Sequence, residues 1–189
     1  MNSKNKKTFT MVLAALFTAL IIVMTVVPFT GYISYGGIIE ITTLHIVVIL
    51  GAALLGPVYG SYLGLIWGIT CVLRAFTNPL WAMFTNPLIS VVPRILVGFV
   101  AGFVCRALSK KLSPVISAGL AALIGSLTNT ILVLSAMYIF GGMIESFAGL
   151  FEMFKTIYMT VASLNGGIEL IAAIILVPAI YAPVKKQMK

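Results

Sequence analysis

Aspartate does not occur in this sequence, histidine occurs once, and the acidic residues number four, all of them glutamate. These shortages exclude several kinds of chemistry. A single histidine, His45, with scattered glutamates cannot supply a His/carboxylate zinc or di-metal set, whose ligands come in threes or fours. A Ser-His dyad would depend on His45 alone, and there is no G-x-S-x-G elbow. No G-x-x-x-x-G-K-[ST] loop is present, so the chain has no phosphate cradle for hydrolysing a nucleotide. No metal and no cofactor are expected, and the chain does not read as an enzyme. Cys71 and Cys105 each sit inside an apolar run, which suits small buried hydrophobes better than a disulfide framework.

Charge is the next shortage. Only 8% of residues are charged while 61% are hydrophobic. Soluble domains have roughly 25% and 45–50%, so this chain has too little polar surface to cover a water-soluble globule. It reads as one all-α integral membrane domain, 1–189, with no room for a second, soluble one. The net charge of +8 does not point to nucleic acid, because the cations cluster at the ends of apolar runs rather than on a polar helix face.

A membrane helix needs about 20 apolar residues to cross roughly 30 Å. The first run, 9–27, follows Lys4, Lys6 and Lys7. It exceeds the ~7–15-residue core of a signal peptide and lacks an A-x-A-like site, so it reads as a retained helix. Residues 31–40, with three glycines and two tyrosines, read as a loop or broken interfacial piece. No Asp, Glu, Lys or Arg occurs from Ile41 to Leu73. Gly56-Pro57 divides that run into antiparallel helices at 41–55 and 57–73. Two Asn-Pro steps mark turns before the fourth helix, in which Asn86 is the N-cap and Pro87 the first helical residue, ending near Leu108. Phe76, Trp81 and Phe84 suit an interfacial aromatic belt. Ser113-Pro114 opens a fifth helix, Pro114–Phe140. Residues 141–155 are polar enough for a short amphipathic interfacial helix, and a sixth span covers 158–182, with Gly166-Gly167 as a weak point.

Six transmembrane helices put the N-terminus, the fourth turn and the C-terminus on one side. That side holds Lys4, Lys6, Lys7, Arg106, Lys110, Lys111, Lys185, Lys186 and Lys189, most of the twelve basic residues. The positive-inside rule then makes both termini cytoplasmic. The glutamates fall on the outer side or in the outer half.

Against this background Arg94, in NPLISVVPRILVGFVAG, is a charge in the middle of a span. Such a charge faces a cavity, a partner or a ligand rather than lipid. Helix rise puts it about 10 Å below the outer end of its helix. Glu40, His45, Trp67, Asn129, Asn165 and Glu169 reach the same outer layer, with Asn165 and Glu169 four apart on one helix face. The inner layer is apolar, so the pattern is a pocket open to the outside rather than a pore. Two roles are open for Arg94: direct contact with a polar solute, or a structural ion pair with Glu169. Asn129 could bind solute or another helix. Small-residue pairs, Ala15-x-x-x-Ala19, Gly60-x-x-x-Gly64-x-x-x-Gly68 and Gly98-x-x-x-Gly102, allow close helix contact in lipid. The glycine pairs read as internal packing. The alanine pair could equally face a partner subunit.

AALFTAL in helix 1, GGIIEITTLHIVVILGAALLGPVYGSYLGLIWG across helices 2 and 3, NPLISVVPRILVG, GSLTNTILVL and NGGIELIAAIILVPAI together resemble the substrate-binding S components of energy-coupling factor (ECF) vitamin transporters. The likeness covers nearly the whole chain and is greatest to the pantothenate-type branch, with pyridoxine- or hydroxymethylpyrimidine-type and riboflavin-type members as rivals. A small ion-coupled secondary transporter is the more distant alternative. The resemblance implies a bacterial, multi-pass cell-membrane subunit that is not itself an enzyme. It would capture a water-soluble vitamin in its outer half, beneath a lid formed by the loop after helix 1, here Tyr32, Tyr35, Gly36 and Gly37. Its partners would be a shared transmembrane scaffold, docked through Ala15 and Ala19, and two cytoplasmic ATPases.

Overall fold

The computed structural model describes residues 3–35, 39–140 and 145–188. Six α-helices account for most of them: α1 Ser3–Val26, α2 Leu44–Leu55, α3 Pro57–Ala75, α4 Pro87–Leu108, α5 Pro114–Phe140 and α6 Glu145–Gln187. α4 and α5 start where the cap-proline signals place them. Asn86 caps α4 by accepting a 2.9 Å hydrogen bond from the Leu88 amide, ahead of Pro87.

α1 and α3–α6 each hold a segment long and apolar enough to cross a membrane. α2 has 12 residues, about 18 Å, short of the roughly 30 Å hydrocarbon core. It is the central element instead: 11 of its residues, Leu44 to Leu54, are buried, and it touches α1, α3, α4, α5 and α6. The outer helices turn large apolar side chains outward, such as Leu16 and Leu20 on α1, Ile131 on α5 and Ile171 and Ile175 on α6. In water such a surface would aggregate; in lipid it is matched to its solvent.

Two sequence expectations are corrected. The described part of residues 31–40 is not irregular but contributes to an antiparallel hairpin, β1 Tyr32–Tyr35 with β2 Ile39–Thr42, in the register Tyr32↔Thr42, Ile33↔Ile41, Ser34↔Glu40 and Tyr35↔Ile39. β-branched and aromatic residues dominate both strands and suit a pleated, half-covered surface. The hairpin takes Ile41 and Thr42 away from the second helix. The Thr43 amide donates to the Gly31 carbonyl at 3.0 Å, closing the base of the hairpin before α2 begins. Gly36 and Gly37 lie outside the described residues. Of the separate interfacial helix expected over 141–155, residues 145–155 belong instead to α6, which runs unbroken for 43 residues from Glu145, and the first four lie outside the described residues. Gly166-Gly167 does not interrupt it, because glycine in a helix costs only ~1 kcal/mol and packing can offset that. Gly166 lies against Thr130, whose hydroxyl would be 2.7 Å from any Cβ placed there.

The glycine pairs hold α3 and α4 together. A Cβ on Gly60 would strike the Gly98 carbonyl, and one on Gly98 the Gly60 carbonyl. A Cβ on Gly64 would strike the carbonyl of Arg94, and one on Gly68 would come 2.7 Å from the Cα of Val91. The two backbones therefore meet along the stripe of missing side chains, the close approach that small residues permit in lipid. Gly56, at φ 97°, allows the tight reversal that delivers Pro57 to the start of α3.

Candidate functional site

A cavity of about 170 Å³ lies between the hairpin, α3, α4, α5, α6 and the 3-10 helix Pro79–Thr85. One buried water needs only ~10–15 Å³ on that measure, so there is room for a solute. Its walls are mainly apolar (Val133, Leu134, Met137, Phe84), with a few polar groups converging, the usual make-up of a small-molecule site.

Arg94 comes from α4, where Gly64 presses on its own carbonyl and so fixes where the side chain starts. Its Nη1 donates to the Ile89 carbonyl at 2.8 Å. Its Cζ lies 5.1 Å from the Trp67 ring centroid and 5.8 Å from that of Phe84, within cation–π range. Its Nε is buried with no hydrogen-bond partner among the described residues, and so is the Oδ1 of Asn129 on α5. Both residues line the cavity. An unpaired donor and an unpaired acceptor thus belong to two side chains at the wall of one cavity, and each unmet group costs about 1–3 kcal/mol until something satisfies it.

Glu169 lines the same cavity without bonding to Arg94. Its Oε1 accepts from the Thr42 amide at 2.7 Å. One turn earlier, Asn165 Nδ2 donates to the Glu40 carbonyl at 2.8 Å. The shared face of Asn165 and Glu169 therefore grips strand β2. His45 sits behind: its Nε2 is 3.2 Å from the Glu169 carbonyl and its Nδ1 is 4.0 Å from Oε2. It is buried in the core and is not among the described residues lining the cavity.

On the other side, the Glu40 side chain pairs with Arg74 at the end of α3. Arg74 Nη1 lies 2.8 Å from Oε2 and Nη2 lies 2.6 Å from Oε1. The Arg74 guanidinium is sandwiched between Tyr32 and Trp81, its Cζ 4.0 and 3.7 Å from the two ring centroids. Trp67 is fully buried beneath the cavity; its Nε1 donates to the Tyr32 hydroxyl at 3.3 Å, and that hydroxyl lies 3.1 Å from Cys71 Sγ.

Glu40, Arg94, Asn129, Asn165 and Glu169 thus meet at the cavity, while Trp67 and His45 support it from behind. Tyr32 of the lid stretch faces the cavity, and Tyr35 stands at the end of the hairpin's register opposite Ile39. Ala15 and Ala19 lie on the exposed face of α1, opposite buried Ala14, Phe17 and Ile21. Arg74 escaped the sequence reading because it stands at a helix end, where a basic residue passes for a membrane anchor. Its signal was that it belongs to none of the basic clusters on the side of the termini. Trp81 and Phe84 are not a lipid-facing belt: the 3-10 helix turns both into the cavity, because an arginine lies beneath each ring. Phe76 alone of the three is widely exposed.

An apolar helical bundle around a mainly apolar cavity with a few convergent polar groups defines a membrane protein with a candidate small-solute site. Comparison with known proteins narrows this: residues 9–181 match the family described as ECF transporter, substrate-specific component, and the chain belongs to that family. It is 30% identical over 201 residues to the pantothenic acid transporter PanT of Lactococcus lactis subsp. cremoris, covering 97% of each chain. It is 33% identical over 187 residues to the pantothenate transporter PanT of Leuconostoc mesenteroides, covering 93% of this chain and 92% of that one. The chain is therefore a multi-pass bacterial cytoplasmic-membrane protein of a vitamin-uptake family whose members are not themselves enzymes.

Proposed function

We propose that this chain captures pantothenate from outside the cell and delivers it inward as the binding subunit of an ECF-type ABC transporter. The observation that carries the reading is that Arg94 and Asn129, each with an unmet buried polar atom, line one cavity. Pantothenate offers both a carboxylate, which a guanidinium binds with charge-assisted hydrogen bonds, and hydroxyl and amide donors for the Asn129 oxygen. The names of both relatives point the same way. A neutral-ring vitamin, pyridoxine or a pyrimidine, would fit best if Glu169 cancelled Arg94. Glu169 instead serves the Thr42 amide, and Arg94 makes no ion pair among the described residues.

In this reading Arg94 and Asn129 touch the vitamin, Trp67 backs the arginine, and His45 steadies Glu169. Asn165, Glu169 and Glu40 hold the hairpin over the bound molecule as its lid. Residues 1–189 form one domain with both termini cytoplasmic. α2 and its hairpin together make the sixth crossing, since α2 alone is too short. ATP is hydrolysed by two partner subunits, and a shared transmembrane scaffold docks on the Ala15/Ala19 face. Equilibrium binding to the purified protein tests the reading. Saturable binding of pantothenate in preference to pyridoxine, hydroxymethylpyrimidine and riboflavin is expected; no binding of pantothenate overturns it.

A further inference from the structure

The cavity is lined by two guanidinium groups and two carboxylates, and the two cations are not equivalent. Arg74 is matched to Glu40 by two hydrogen bonds, at 2.6 and 2.8 Å, which take up one edge of its fork. Arg94 has no carboxylate within ion-pair distance among the described residues. Arg74 also has a second restraint, the Tyr32 and Trp81 rings on its two faces. Stacking of this kind holds a guanidinium in place without using its hydrogen-bond donors. Glu40 therefore removes the charge of Arg74 more than it determines its position. The pair stands at the rim, with side-chain exposures of 22% for Arg74 and 16% for Glu40, where an entering solute would meet it.

We infer that Glu40 sets the charge of the solute this cavity accepts: one negative group, received at Arg94, with a second one rejected at the Arg74 end. The inference deepens the pantothenate reading and rests on it. A phosphate ester on the solute's primary hydroxyl, the end away from the carboxylate, adds a charge of about −1.5 to −2. That group would meet the Glu40 carboxylate, or would have to displace it from two charge-assisted bonds. Like charges brought together in this way are strongly disfavoured. The cavity would thus separate a free vitamin from its phosphorylated form by charge.

The test compares affinities of the full-length protein for pantothenate and for its phosphate monoester in wild type, Glu40→Gln and Glu40→Gln/Arg74→Gln. Glutamine keeps the size of glutamate and leaves Arg74 stacked but uncompensated. Glu40→Gln is expected to narrow the preference for the free vitamin by roughly tenfold or more, and the double variant to restore it. An unchanged preference in Glu40→Gln means that size, not charge, excludes the ester, and overturns the inference. Arg74→Gln alone leaves Glu40 unbalanced beside the cavity and is expected to weaken pantothenate binding, with recovery in the double variant. No recovery also overturns the inference, and this arm stands even if Glu40→Gln fails to fold. Thermal unfolding with and without inorganic phosphate separates the two readings. Phosphate should stabilise Glu40→Gln more than wild type or the double variant, both of which offer it Arg94 alone. That outcome supports the role of Glu40 even if wild type binds no pantothenate, and phosphate without effect on a folded Glu40→Gln counts against it.

Discussion

Glu169 Oε1 accepts a 2.7 Å hydrogen bond from the amide of Thr42, so one oxygen of this carboxylate is spent on the hairpin that lines the cavity. This relationship bears on the two roles open to Arg94. A glutamate holding a backbone amide and backed by His45 leaves the arginine facing the cavity without an ion-pair partner among the described residues.

Arg94→Ala should keep the fold and lose the ligand. Hydrogen bonds to charged groups contribute about 1.5–3 kcal/mol, which corresponds to roughly 10–150-fold weaker pantothenate binding. Arg94→Lys should fall between, since an ammonium cannot present the two-pronged fork. Calorimetric titration reads both, and wild-type affinity in Arg94→Ala would assign the arginine a structural role.

For Glu169, acceptor and charge can be separated. Glu169→Ala leaves the Thr42 amide unmet beneath the hairpin, at a cost of about 1–3 kcal/mol, and should lower thermal stability and speed vitamin release. Glu169→Gln retains an oxygen that can accept from Thr42 and should lose distinctly less. Equal losses in the two variants would show that the carboxylate's charge, not its hydrogen bond, matters there.

The α3–α4 seam should tolerate no added carbon. Gly64→Ala and Gly98→Ala each drive a methyl into a facing carbonyl and should cost at least ~1–3 kcal/mol, visible as a lower unfolding temperature. Gly64→Ala should also weaken binding, because the carbonyl it displaces belongs to Arg94. Gly167→Ala is the control: nothing lies within 4 Å of the added carbon, and stability should hold or rise by up to ~1 kcal/mol. A Gly98→Ala protein as stable as wild type would refute the close seam.

Ala15→Leu and Ala19→Leu should leave pantothenate binding by the isolated protein unchanged, because both alanines lie on the exposed face of α1. Uptake in cells that contain the scaffold and ATPase subunits should fall sharply if that face is the docking surface. Uptake at the wild-type level would move the interface elsewhere, and loss of binding would mean that α1 packs differently.

The helices were legible because their signals are local. Asn86-Pro87 and Ser113-Pro114 are cap-proline starts, Gly56-Pro57 is a turn, and apolar length measures a span, so α4 and α5 fall where sequence puts them. The hairpin was missed because its three glycines outweighed short strands whose stability comes from α3 and α6 rather than from themselves. The length of α6 was missed because a polar stretch reads as an interruption, although nothing in it forbids helix. Depth counting brought Arg94, Asn129, Asn165, Glu169 and Glu40, together with His45 and Trp67, to one level; the first five line the cavity and the last two lie behind it.

Sequence alone determined that this chain lives in a membrane and that polar groups gather in one layer of it. Both follow from composition and from the fixed rise of a helix, which set where each residue lies along its own axis. It could not determine which of those groups pair with one another. Pairing depends on the rotation of each helix about its axis, and that is decided by contacts such as Gly64 against the Arg94 backbone. Tertiary packing therefore chose Thr42 for Glu169 and Arg74 for Glu40, and left Arg94 facing the cavity.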